Sequence, residues 1–563
     1  MRRALILAAG FSLLSGCGGG GRSSAPSIPA ASNVPASSYV SLTLPADPNG
    51  SMIAGISDQL IVGSMTTAIA SVPITVTFNP TSPSTTASAL MAPRSQASSV
   101  AAGAQAQSAQ IWKDGPGTAT LLRAVIPTLE PVGTRTTESK RTIESLPSTV
   151  GSQATFWIQN FQAGIAGVTF EQVPETLAVR TTHANVWVQT SLTSLLGNQS
   201  ALNTIAANIE TAIASDAAHF GSATWTPSAP SLSTQYATCD ASGNRDGGSS
   251  SMWIVPSDPH VNFVYVDPSE IGVGGYMDAD SLMPENVIRC TQASNGTYHS
   301  NEAPTIVLAY WGDERGLSYV LQEDSIVHPA HEYQHLINIV HHTILQPQLQ
   351  FEDPLLNEGL SMLAQDFAID TATGGAEPLD GENILRTSGY LAAPQDYSVA
   401  GFAGVSAPGQ TPLFNCATCY SPAWLLERYM FDHFGGEAYV QSMESGTQTS
   451  WPEVQAVTGA TPQSILYDFA VAVGASNTAA ATSSYSFTSV NLHTTYVDQL
   501  GDTYTLSGPA PIITLSGSGP QTFDILSGAS AYFAVPPSAS SGSASLSSGS
   551  NGSFDLSGYV LDY

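Results

Sequence analysis

Five of the eleven histidines in this chain fall within residues 328–342, which read HPAHEYQHLINIVHH. Inside that run, His331-Glu332-Tyr333-Gln334-His335 fits the pattern H-E-x-x-H. On a helix, positions i and i+4 share a face, so both imidazoles can address one metal ion. Glu332, one step round, can reach a water on that ion without being a ligand. The flanking residues suit a helix: Tyr333, Leu336, Ile337 and Val340 recur at helical spacing. Ser325 is placed to cap it, and Pro329 falls in the first turn, where a missing N–H is harmless. By itself the pentapeptide is a weak signal, because a helix with surface histidines would carry it too.

A third donor at a sensible place changes that weight. Asp353-Pro354-Leu355-Leu356-Asn357-Glu358-Gly359 opens a second helix, with Asp353 as N-cap and Pro354 at the first helical position. Leu356, Leu360, Leu363 and Phe367 form its apolar face, which leaves Glu358 to point elsewhere. Two histidines and one glutamate, with a fourth position left to water, are the donor set of a catalytic zinc site rather than a closed structural one. One Zn2+ per chain on His331, His335 and Glu358 is the expectation. The remaining histidines of the run, His328, His341 and His342, read most simply as exposed or capping residues. Asp267, Asp278 and Asp280 could help bind Ca2+, although Asp-Pro and Gly-rich turns explain them as well and no fixed-spacing loop is present.

An H-E-x-x-H helix followed by a helix bearing Asn-Glu-Gly resembles the gluzincin metallopeptidases, and more narrowly the hyicolysin family. Gly274-Gly275-Tyr276, Ser300-Asn301-Glu302, His-Glu-Tyr-Gln-His-Leu-Ile and Leu-Asn-Glu-Gly-Leu-Ser follow one another in a similar order. Tyr420-Ser421-Pro422-Ala423-Trp424 then looks like the helix that closes such domains. The likeness covers about residues 150–475, densely at 300–365 and 415–436. It implies that His331, His335 and Glu358 bind zinc and that Glu332 is the general base. A donor is then needed for the oxyanion; Tyr420 is the candidate, Tyr390 and His433 are rivals, and a packing role for Tyr420 stays open. One departure stands out: thermolysin-like members carry an Asp four residues after the third ligand, where this chain has Met362. Asp366 or Asp324 could support a ligand histidine instead.

The elements around these motifs predict an α+β fold. The resemblance implies a gluzincin-type domain at 151–480, with a strand-rich upper lobe and a helical lower lobe. Thr155–Ile158, Val186–Val188, Val261–Val266 and Thr305–Leu308 read as strands, and Ser200–Phe220 has helical periodicity. Small β-rich regions flank this domain at 39–80 and 481–563, with a linker or pro-region at 81–150 whose composition shifts to Ser, Ala, Thr and Gln. An edge strand near Gly274–Tyr276 could align an extended substrate by strand addition.

The first residues bear on location. Arg2 and Arg3 precede an apolar run that ends in Leu14-Ser15-Gly16-Cys17. This is the layout of an export signal, too short to span a bilayer, and its ending resembles a bacterial lipobox. That resemblance implies a signal peptide at 1–17, lipidation of Cys17 and anchoring to the cell envelope, outer membrane or cell surface. The Gly/Ser/Ala/Pro stretch 18–38 then reads as a tether. The remaining cysteines, Cys239, Cys290, Cys416 and Cys419, permit three pairings; proximity favours 416 with 419 and hence 239 with 290. A net charge of -29, with Lys plus Arg at 15 against 44 acidic residues, argues against nucleic acid as a partner. The expected activity is zinc-dependent endopeptidase cleavage of extracytoplasmic proteins or peptides. The alternative is a catalytically inactive surface lipoprotein for adhesion or polymer binding.

Overall fold

A computed structural model describes residues 146–562 apart from short stretches, together with Leu129 and the strands at 39–44, 51–57, 71–80 and 131–134. The expected signal peptide, Cys17, the tether, most of 81–150 and Cys416 lie outside the described residues. The fold is mixed α and β. Six strands build a central sheet: β1 (Gln153–Asn160), β2 (Thr169–Arg180), β3 (Ala184–Gln189), β4 (Val261–Val266), β5 (Gly275–Met277) and β6 (Thr305–Ala309). Their order is β5-β6-β4-β3-β2-β1. β3, β4 and β6 are parallel, while β5 runs antiparallel along β6 at one edge and β1 and β2 are antiparallel at the other.

The parallel strands are buried at every position. They can therefore be apolar on both faces, which is why they stand out in the sequence as unbroken runs. Val186, Val188, Phe263, Tyr265, Ile306 and Leu308 face a large helical core. Trp187, Val264, Val266, Val307 and Ala309 face a second, smaller core on the opposite side. β2 alternates between exposed and buried residues over much of its length, so its apolar signal is diluted and sequence reading passes over it.

Helices cover one face of the sheet. α1 (Gln199–His219) is capped by Asn198, whose side chain accepts from the Ala201 amide. α2 (Ser325–Ile339) carries the H-E-x-x-H residues and packs on α1 and on α3 (Pro354–Thr373). α4 (Gly381–Ala392) and α5 (Tyr420–His433) follow, and α5 packs on both α3 and α4. α6 (Glu437–Ser445), α7 (Ser450–Thr458) and α8 (Pro462–Ala475) complete the helical part. Asp353 caps α3 through its side chain and Pro354 begins it, as the sequence predicts.

The start of α2 differs from expectation. Ser325 is not a cap: a π-helical turn, Val320–Asp324, leads into the helix, and Pro329 lies inside it. A proline ring clashes with the carbonyl four residues earlier, here that of Ser325. Ser325 sits at ψ 1°, off helical geometry, so the wider turn accommodates the ring. Nor is α2 amphipathic in the expected sense, because all fifteen of its residues are buried.

The N-terminal and C-terminal strands combine. One four-stranded sheet orders Tyr39–Leu44, Gly542–Ser548, Ser71–Pro80 and Gln521–Leu526; the other orders Ile513–Thr514, Ser530–Val535, Ser51–Ser57 and Leu556–Asp562. Phe523 and Phe533 bring the two sheets together, with ring centroids 5.9 Å apart. Tyr532 donates to the carbonyl of Ala470 at 2.8 Å, which joins this β-region to α8. Cys239 and Cys290 form a disulfide, and Cys419 is also disulfide-bonded.

Candidate metal centre

α2 presents His331 and His335 one turn apart, and α3 crosses it so that Glu358 meets both. The Nε2 atoms of the two histidines are 3.2 Å apart. Oε2 of Glu358 lies 3.3 Å from Nε2 of His331 and 3.5 Å from Nε2 of His335. A tetrahedral ion with bonds of about 2.0–2.1 Å spaces its donors by roughly 3.3–3.4 Å, which matches this triangle. Glu358 is 1% exposed, yet neither of its oxygens accepts a well-formed hydrogen bond. A buried carboxylate left so is costly unless a cation satisfies it. The donor set and spacing therefore fit a metal ion.

The electrostatics agree with this geometry. Burial opposes the charge on Glu358, but His335 and His331 outweigh it and hold the carboxyl down at about 2. Burial also opposes protonation of His335, yet Glu358, with help from Glu332 and Asn357, carries it up to about 9. As a set, the three donors stabilise positive charge in their midst.

Glu332 is buried at the sheet edge. A Cβ built on Gly275 of β5 would lie 3.3 Å from its Oε1. The edge strand and the motif glutamate are thus in close approach, and glycine is what permits it. Tyr420, at the start of α5, places its ring 6.4 Å from that of His331. Of the rivals, Tyr390 packs on Tyr397 at 6.2 Å, while His433 lies tilted against Tyr429 and contacts the Ser486 carbonyl at 2.9 Å. Tyr420 is therefore the candidate brought to the histidines.

Several residues of this site are given no role by the sequence reading. Arg386 of α4, 2% exposed, places its guanidinium 5.0 Å from the Tyr420 ring. Ser361 Oγ lies 3.3 Å from Nε2 of His331. Asn357 stands beside His335, and its place in the Asn-Glu-Gly run hints at it. The supporting aspartates have other roles. Asp366 is bound by Arg428, Trp424, Asn383 and the Asp380 amide, which ties α3 to α4 and α5. Asp324 pairs with His328 at 2.8 Å, both buried, so His328 is neither exposed nor a cap.

Asp267 caps a short turn through the Ser269 amide. Asp278 and Asp280 are buried among Gln159, Ser281 and Asn301. These three aspartates do not form a metal-sized cluster; among the described residues the two clusters of that kind are His331/His335/Glu358 and His342/Glu352/Glu453. No protein-family model matches the chain, and no curated protein matches it.

Proposed function

We propose that the protein is a zinc metallopeptidase of the gluzincin kind, related to the hyicolysin family, which hydrolyses peptide bonds of extracytoplasmic proteins while anchored to the cell envelope through lipidated Cys17. One observation carries the reading: three buried donors on two crossing helices converge at metal spacing, with the Glu332 carboxylate directly beside an edge strand. A site that only held a structural ion would need a fourth protein donor and no carboxylate at that place.

When bound, zinc supplies a Lewis acid and lowers the pKa of a coordinated water. The chain's own groups do the rest. Glu332 takes a proton from the attacking water and returns it to the leaving amine. β5, at the edge of the sheet, aligns an extended peptide by strand addition and so sets the scissile bond against Glu332. Tyr420 donates to the developing oxyanion, its ring lying under the Arg386 guanidinium, which is itself paired with Glu382. Burial of the donors and of Glu332 keeps bulk water from competing.

The test is zinc content and casein cleavage of the purified protein beside Glu332→Gln. The reading expects about one zinc at this site, loss of activity to a chelator, and recovery on adding zinc. The variant should keep that zinc and lose roughly 10²–10⁴-fold in kcat, the usual contribution of a general base. Cleavage that persists in Glu332→Gln would remove Glu332 from the mechanism. A folded protein that holds no zinc here would overturn the assignment and leave a binding module in its place.

A further inference from the structure

Two turns beyond His335, the interior holds a second group of polar side chains that the first site does not use. His342 lies in the π-helical turn Val340–Ile344 that continues α2, Glu352 precedes the cap of α3, and Glu453 belongs to α7. All three are at most 2% exposed, and one donor atom from each falls within 4.8 Å of the others. Glu444 at the end of α6 is also fully buried in this region. From these residues we infer that the protein has a second metal site, in which His342, Glu352 and Glu453 hold a divalent first-row transition-metal ion.

Acidic residues alone would not carry this; His342 does. It is 1% exposed, and neither ring nitrogen makes a well-formed hydrogen bond. Its Nδ1 points at the group, 3.9 Å from Oε2 of Glu453, an oxygen that also has no hydrogen-bond partner. The backbone of Met443 and Gln448 also lies beside the ring. Glu352 is anchored, since its Oε1 accepts the amides of Asp353 at 3.0 Å and Ser450 at 2.6 Å. No arginine or lysine forms an ion pair with Glu444 or Glu453 among the described residues. Carboxylates buried together without a cation repel one another, and a divalent ion removes that cost.

The donors identify the class of ion. One imidazole with carboxylates suits zinc and its neighbours, whereas calcium takes oxygen ligands. The 3.9 Å between Nδ1 of His342 and Oε2 of Glu453 is wider than the donor separations of the first site, so a bound ion would draw these side chains inward. The two sites would stand about 10 Å apart along α2, from a rise of about 1.5 Å per residue. Gln334 of α2 donates to Glu444 at 2.6 Å, so the second ion would hold α6 and α7 against the helix that carries the first.

The inference is independent of the first site, and the experiment keeps them apart. His331→Ala/His335→Ala dismantles the first site and leaves the second untouched. This variant, stripped with chelator and titrated with Zn2+ alone, should bind about one equivalent and show a rise in Tm. Adding Glu453→Gln to that background should abolish both. A folded double variant that binds no Zn2+, or one whose Zn2+ survives Glu453→Gln, would overturn the second site. Preference for Ca2+ over Zn2+ in the same titration would overturn the class of ion.

Discussion

A methyl group at Gly275 would sit 3.3 Å from Oε1 of Glu332 and 3.0 Å from Cδ2 of Leu308, closer than side chains ordinarily approach. Gly275→Ala should therefore shift the Glu332 carboxylate by a few tenths of an ångström while leaving the three donors in place. The expected outcome is unchanged metal content with kcat reduced about tenfold or more, since catalytic groups are sensitive to displacement on this scale. A second residue-scale prediction concerns Glu175 of β2. Burial first, and the charge of Glu270 second, push its carboxyl well above the ordinary glutamate value of 4.5. The folded chain keeps a proton there that the unfolded chain releases above that value, so this residue costs stability as the pH rises. As the pH rises above about 4.5, thermal midpoints of Glu175→Gln should fall less than those of wild type. Parallel curves would show that Glu175 is not the source.

The site depends on how closely two helices approach. A Cβ on Gly359 would lie 2.7 Å from the backbone oxygen of Ala423 and 2.5 Å from Cγ of Glu427, so α3 meets α5 through this glycine. In an ordinary helix, Gly→Ala stabilises by about 0.5–1 kcal/mol. Here the sign should reverse, with Gly359→Ala losing about 1–3 kcal/mol by overpacking against backbone that cannot move aside. Because Glu358 is the next residue, metal affinity should fall with stability, which a zinc titration of the variant would measure. The π-turns at either end of α2 belong to the same scale. One accommodates Pro329, and the other brings His342 into the interior.

At the scale of the whole chain, the two ends are interdependent. Each four-stranded sheet of the β-region takes strands from both 39–80 and 513–562. Removing residues 481–563 would leave Tyr39–Leu44, Ser51–Ser57 and Ser71–Pro80 without their partners and uncover the α8 surface that Tyr532 meets. Exposed strand edges template association. The truncated protein should aggregate, whereas a truncation that also removes residues 1–80 should be more soluble. Equal solubility of the two by sedimentation would mean that the strands are not the cause.

Local patterns determined much of this protein. The i, i+4 histidines, the Asp-Pro start of α3, the helical repeat of α1 and the unbroken apolar strands β3, β4 and β6 are all short-range features, set by backbone geometry and burial within a few residues. Non-local pairings were decided only by the tertiary structure. No local rule places Arg386 over Tyr420 or joins strands at opposite ends of the chain, whereas the Cys239–Cys290 pairing follows from the closeness of Cys416 and Cys419 in the sequence. His342 illustrates the limit. Its position near a helix end suggests solvent, and only the packing of α6 and α7 around it encloses it with Glu352 and Glu453.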